Sequence, residues 1–106
     1  MKTAESNPRL RSFLVECYSP GIERDEVAAA GDRSEVAAEA LRRTGREIEY
    51  VRALLVPLDE VVFHLFVAQD ASLVREAVSR ASVTYERIVE SIVVETASVA
   101  MPTTPD

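Results

Sequence analysis

The sequence predicts an α+β fold in which a four-stranded antiparallel sheet carries two helices on one of its faces. Three observations predict it. Short β-branched and aromatic runs alternate in character, two longer stretches rich in Ala, Glu and Arg repeat at helical spacing, and these follow one another as strand, helix, strand, strand, helix, strand. Right-handed crossovers in that order place the first and third strands side by side in the centre.

Each element has its own signal. "SFLVECY" (Ser12 to Tyr18) reads as a strand, closed by the turn residues Pro20-Gly21. From Arg24 to Thr44, Val27, Val36, Ala37, Ala40 and Leu41 recur at helical spacing, and Gly45 supplies the stop. Gly31 is expected to kink or divide this helix, because Asp32 with Glu35 three residues on has the form of a capping box. "EIEYVRALLVP" and "DEVVFHLFVA" read as antiparallel neighbours joined through Pro57 to Glu60. "DASLVREAVSRA" is a second helix, capped by Asp70 or Ser72, with Val74, Ala77, Val78 and Ala81 as its apolar stripe. After a turn around Thr84 to Glu86, "RIVESIVVE" is the last strand. The whole is the ferredoxin-like βαββαβ arrangement over residues 12–95, between flexible segments at 1–11 and 96–106.

Composition limits the function. A chain of 106 residues holds one core, and 47% hydrophobic with 28% charged residues is ordinary for a globular protein. The formal charge of −6 opposes binding to a phosphate backbone or an anionic membrane. No apolar run reaches the length of a bilayer span, since Pro57, Asp59 and Glu60 interrupt the longest, and no apolar signal core opens the chain. With a single cysteine, Cys17, there is no internal disulfide, and the expected compartment is the cytoplasm. The glycines Gly21, Gly31 and Gly45 lie too far apart for a phosphate-cradling loop, and no nucleophile elbow or zinc-protease helix is present.

Strand parity separates two faces. Phe13, Val15, Cys17, Val51, Ala53, Leu55, Phe63, Leu65 and Val67 are all apolar and are expected beneath the helices. The opposite set holds Leu14, Glu16, Tyr18, Tyr50, Arg52, Leu54, Val56, Val62, His64 and Phe66, with no helix left to cover it. So large an apolar face predicts a homodimer, sheet against sheet, with a cavity between. Glu16, Tyr18, Tyr50, Arg52, His64 and Phe66 are the candidate ligand-binding residues there, and His64, the only histidine, is the candidate general acid or base and the candidate metal ligand. The bland alternative is a Glu16–His64–Arg52 ion-pair network that fixes the register of the dimer. Contact with Glu16 would raise the His64 pKa.

The segments "FLVECYSPG", "YVRALLVPLDEVVFHLFVA" and "VREAVSRASVTYERIVESI" resemble the small ferredoxin-like nickel-binding, or nickel-responsive, proteins, a family formerly described as a domain of unknown function. The resemblance runs from about Phe13 to Glu95 and includes no catalytic signature. It implies a homodimer with an apolar cavity and, in the nickel-binding branch, a transition-metal site. That branch has a Trp-Val-His-Ser type segment where this chain has Tyr50-Val51-Arg52-Ala53, and His64 stands at a position that is often cysteine. A cation thus replaces an imidazole ligand, and one histidine, one cysteine and carboxylates are a poor nickel or zinc set within one chain.

Two functions follow as expectations. The first is a small-ligand binding protein, for an organic molecule or a transition metal, using the cavity between the sheets of the dimer. The alternative is a cofactor-free dimeric α+β barrel enzyme of the oxygenase, isomerase or cyclase type with His64 as general acid or base, an idea carried by fold analogy.

Overall fold

The computed structural model describes residues 10–96. The expectations of loose ends therefore lie largely outside the described residues, although β1 already starts at Arg11. The elements are β1 (Arg11–Tyr18), α1 (Arg24–Arg42), β2 (Ile48–Val56), β3 (Val61–Ala68), α2 (Ala71–Arg80) and β4 (Arg87–Ser91). They form a ferredoxin-like α+β fold whose sheet runs β2-β3-β1-β4, antiparallel at every pairing. The first and third strands occupy the centre, as the crossover rule requires.

Helix α1 is unbroken through Gly31. Its capping box is formed by Glu23 and Glu26, not by Asp32 and Glu35, so the helix starts once, from the extended Glu23. Val27, Gly31, Ser34, Ala38 and Leu41 face the sheet at alternating steps of four and three residues. Three of these five are small, which lets the helix backbone lie close. Val36, expected in the stripe, is 66% exposed. Gly45 ends the helical segment at φ +92, a conformation that glycine adopts without steric penalty, and its N–H donates to the Arg42 carbonyl at 2.9 Å.

Helix α2 is capped by Asp70, whose carboxylate accepts from Ser72 Oγ at 2.7 Å and from the Leu73 N–H at 3.0 Å. Those two bonds hold its pKa below the ordinary value, the hydroxyl contributing most. Leu73, Val74, Ala77 and Val78 are its buried stripe.

Strand β4 stops at Ser91, short of the expected Glu95, because its neighbour runs out. Ser91 pairs with Ser12, and β1 has one residue beyond it. Ile92, Val93 and Val94 are consequently exposed.

The faces differ from the parity reading in β3. Val15 pairs with His64 and Cys17 with Val62, and residues directly opposite one another share a face. Val62, His64, Phe66 and Ala68 are therefore the buried set, and Phe63, Leu65 and Val67 turn to the open side. Both sets in β3 are apolar apart from His64, so polarity alone assigned them wrongly. In β2 the pairing passes from Tyr50–Phe66 to Arg52–Leu65, leaving Val51 as an extra, bulged residue. The bulge puts Tyr50 on the helix side while Arg52 and Leu54 stay on the open side. An open apolar face does exist, built around Leu14, Leu54, Phe63 and Leu65, but His64 is not on it.

Candidate functional site

His64 is 2% exposed and sits under the helices among apolar side chains. Its ring Nδ1 lies 2.9 Å from the Tyr50 hydroxyl, with the two rings tilted at 45°. Tyr50 is fixed in turn. Its ring packs edge-on against Phe66 at 5.1 Å, and its hydroxyl approaches α1 so closely that a Cβ at Gly31 would lie 2.9 Å from it. Glycine at position 31 is thus a matter of access: the helix leaves room there for a phenol.

The direction of the hydrogen bond fixes the tautomer. Among the described residues the Tyr50 hydroxyl has His64 as its hydrogen-bond partner. A hydroxyl that accepted from Nδ1–H would leave its own proton without an acceptor against the helix. Tyr50 therefore donates to Nδ1, and the neutral ring carries its proton on Nε2, which makes no hydrogen bond to a described residue.

The other side of the ring lines a cavity of about 350 Å³ between the sheet and the start of α1. Its wall combines Val27, Val62 and Val83 with Cys17, His64 and Arg33. Arg33 comes from α1 and is anchored across the helix pair, its Nε donating to the Ala81 carbonyl at the C-terminal end of α2, 2.7 Å away. That anchorage suits the negative end of the α2 dipole and leaves the terminal guanidinium nitrogens without a hydrogen-bond partner among the described residues.

Electrostatics keeps this site uncharged apart from Arg33 and Glu26 at its mouth. Burial, and then the Arg33 guanidinium, push the His64 pKa below its ordinary 6.5. Burial, followed by the carboxylates of Glu35 and Asp32, pushes the Tyr50 phenol up to about 12. Burial, with Glu86 and Glu16 adding to it, pushes the Cys17 thiol up to about 11. At neutral pH the wall thus presents an intact thiol and a neutral imidazole, the latter held by a neutral phenol behind it. Cys17 is a poor nucleophile in that state.

His64 makes the stability of the folded chain depend on pH. Its pKa is lowered in the folded chain, so as pH falls through the unfolded value of 6.5 the unfolded chain takes up a proton that the native chain refuses. The stability contributed by the neutral ring is complete above that value and is lost on descending towards the folded pKa. Urea midpoints are expected to drop on acidification through this window, and the drop is expected to be smaller in His64→Gln.

The six candidate residues divide between the two faces. Tyr50, His64 and Phe66 meet beneath the helices, whereas Glu16, Tyr18 and Arg52 lie on the open face. Glu16 is bonded to Arg87 at 2.6 Å, not to His64, so the expected ion-pair network and raised imidazole pKa are replaced by a phenol contact and a lowered one. Tyr18 is 55% exposed at the strand end. Cys17, expected opposite His64, shares its face and its cavity. Arg33 was not singled out by sequence. Its available signal was helical phase, since it follows Glu26 by seven residues and both line the cavity.

The donors do not fit a nickel centre. His64 Nδ1 is engaged by Tyr50, Cys17 keeps its proton, Arg33 repels a cation, and Arg52 lies on the other face. No cluster of three His, Cys, Asp or Glu side chains able to hold a metal ion occurs among the described residues. No helix among them is long and apolar enough to cross a membrane.

No protein-family model and no curated protein matches the chain. Among solved structures, the fold is similar to that in the crystal structure of SCO4226 from Streptomyces coelicolor A3(2), with a TM-score of 0.62 over 79% of this chain and 99% of that one. At 16% identity that likeness establishes the fold these two chains share, the ferredoxin-like α+β sheet with its two covering helices.

Proposed function

We propose that the protein is a small-molecule binding protein whose ligand lodges between the sheet and α1, within one chain. The observation that carries this reading is the cavity of about 350 Å³ with the Tyr50-oriented imidazole of His64 on its wall. Ligand sites combine an apolar lining with a few fixed polar groups, and the volume lies within the usual range for them. The packing on Phe66 and Gly31 holds Tyr50, and Tyr50 holds the imidazole, so the polar group facing the cavity is set before any ligand arrives.

The open sheet face supports a second copy of this chain as its occupant. Leu14, Leu54, Phe63 and Leu65 give it an apolar centre, and Glu49 and Arg52 on the β2 edge carry opposite charges that an isologous pairing sets against each other. Such a dimer buries the sheet and leaves the cavity under α1 to each chain.

Native mass spectrometry of untagged protein tests both parts at once. A dimer with a low-mass organic adduct, the adduct lost from Val27→Trp, which fills the cavity, is the expected result. A monomer with the adduct would remove the dimer alone. Bare protein in every preparation, with no uptake from a library of small organic molecules, would sink the ligand reading.

A further inference from the structure

We propose that the ligand is a small organic carboxylate, its head held by His64 Nε2–H and the Arg33 guanidinium and its apolar part lying against Val27, Val62 and Val83. This rests on the ligand-binding reading above and names the chemistry of the same cavity.

His64 is 98% buried and lines the cavity, yet its Nε2–H has no hydrogen-bond acceptor among the described residues. Arg33 lines the same cavity and is pinned by its Nε to Ala81 at 2.7 Å, so the guanidinium has a fixed anchor and its terminal nitrogens stay without a hydrogen-bond partner among the described residues. Both groups donate and neither accepts. A carboxylate is the small organic group that only accepts, with two oxygens for two donors, and a bond to an ionised partner is worth more than one to a hydroxyl. The apolar part of the wall, Ile22, Val27, Val62 and Val83 beside an un-ionised thiol, suits a hydrocarbon chain or ring, while Ser19, Ser82 and Thr84 add hydroxyls.

Glu26, exposed to solvent at the mouth, is the one anion on the wall, and the other groups around His64 apart from Arg33 are uncharged. From β1 comes the Cys17 thiol and from β2 the Tyr50 phenol, both neutral. From α1 come Arg33 and Glu26, and the Glu26 Oε1 is occupied by the Glu23 N–H at 2.8 Å. The segment after α2 contributes the uncharged Ser82, Val83 and Thr84. An anion bound against the ring stabilises the imidazolium, so carboxylate affinity rises as pH falls through the His64 titration.

The test uses the full chain and its single imidazole as an NMR probe, titrated with hexanoate and benzoate and with the matched neutral compounds hexanol and benzyl alcohol. Carboxylates are expected to shift the His64 ring resonances saturably, to bind about tenfold or more tightly than the alcohols, and to raise the His64 pKa. Arg33→Gln is expected to lose about tenfold in carboxylate affinity and little for the alcohols, with Arg33→Lys in between. Tyr50→Phe, which leaves Arg33 in place but frees the tautomer, is expected to weaken the carboxylates selectively. Equal affinity for acids and alcohols, or an Arg33→Gln variant that binds hexanoate as well as the parent, would overturn the carboxylate assignment while leaving the cavity as a ligand site. Failure of all four compounds to move the imidazole would overturn both.

Discussion

Replacing His64 by alanine is expected to lower the stability of the folded chain by about 3 kcal/mol. The ring is 2% exposed and its neighbours Val15, Val62 and Phe66 are among the most deeply buried side chains, so truncation leaves a void that a packed sheet cannot close. The Tyr50 hydroxyl loses its acceptor as well. Against a typical total of about 5–15 kcal/mol, that is a large fraction. For a domain of this size it corresponds to a fall in Tm of about 12 °C or more. Urea denaturation followed by circular dichroism measures it. His64→Phe restores the volume but not the hydrogen bond and is expected to recover most of the loss. An alanine variant as stable as the parent would mean that the imidazole is not packed in the way described.

The second large effect is a change of sign. Alanine at an interior helix position ordinarily stabilises relative to glycine, by about 1 kcal/mol. At position 31 the new Cβ would lie 2.9 Å from the Tyr50 hydroxyl oxygen, so either the helix lifts or the phenol swings away from His64. Gly31→Ala is therefore expected to destabilise by about 2 kcal/mol, in the range of overpacking substitutions. In a Tyr50→Phe background the oxygen is gone, and the nearest ring atom stands at 3.5 Å, an ordinary contact. There the same substitution is expected to be neutral or stabilising. The double-mutant cycle of these two positions, measured from denaturant midpoints, should give a coupling of about 2 kcal/mol. Additive effects would show that the close approach is relieved without cost.

Much of the fold was legible because it rests on local chemistry. Asp70 caps α2 and Gly45 stops α1 for the reasons their residue types suggest, and the order of elements led directly to the central pairing of β1 and β3. The site was legible only in part, and the reason is physical. Choosing which side of β3 lies inside requires a difference in polarity between its two sets of side chains, and that strand offers hydrophobic residues on both, with a histidine whose desolvation counts against the interior. A neutral imidazole held by a phenol removes that prohibition, but the phenol comes from β2, fourteen residues away, and reaches the right side only through a bulge. Gly31 misled in the same manner. A glycine inside a helix suggests a break when read locally, whereas its purpose here is set by a side chain from another element.

The extra residue at Val51 has a consequence for how this chain should be aligned with its relatives. Side-chain direction along a strand is binary, so an extra residue paired regularly reverses sidedness for everything between that point and the strand end, unless a bulge absorbs it. The bulge absorbs Val51, and removing that residue would leave a regular ladder in which the Tyr50–Phe66 pair directly adjoins the pair of Arg52 with Leu65, keeping the tyrosine towards the helices and Glu49 outward. A one-residue gap at Val51 is accordingly compatible with the imidazole contact, whereas a relative that kept the extra residue but paired it regularly would turn the same tyrosine outward. The bulge, more than the letter at position 50, decides which side of the sheet the phenol belongs to.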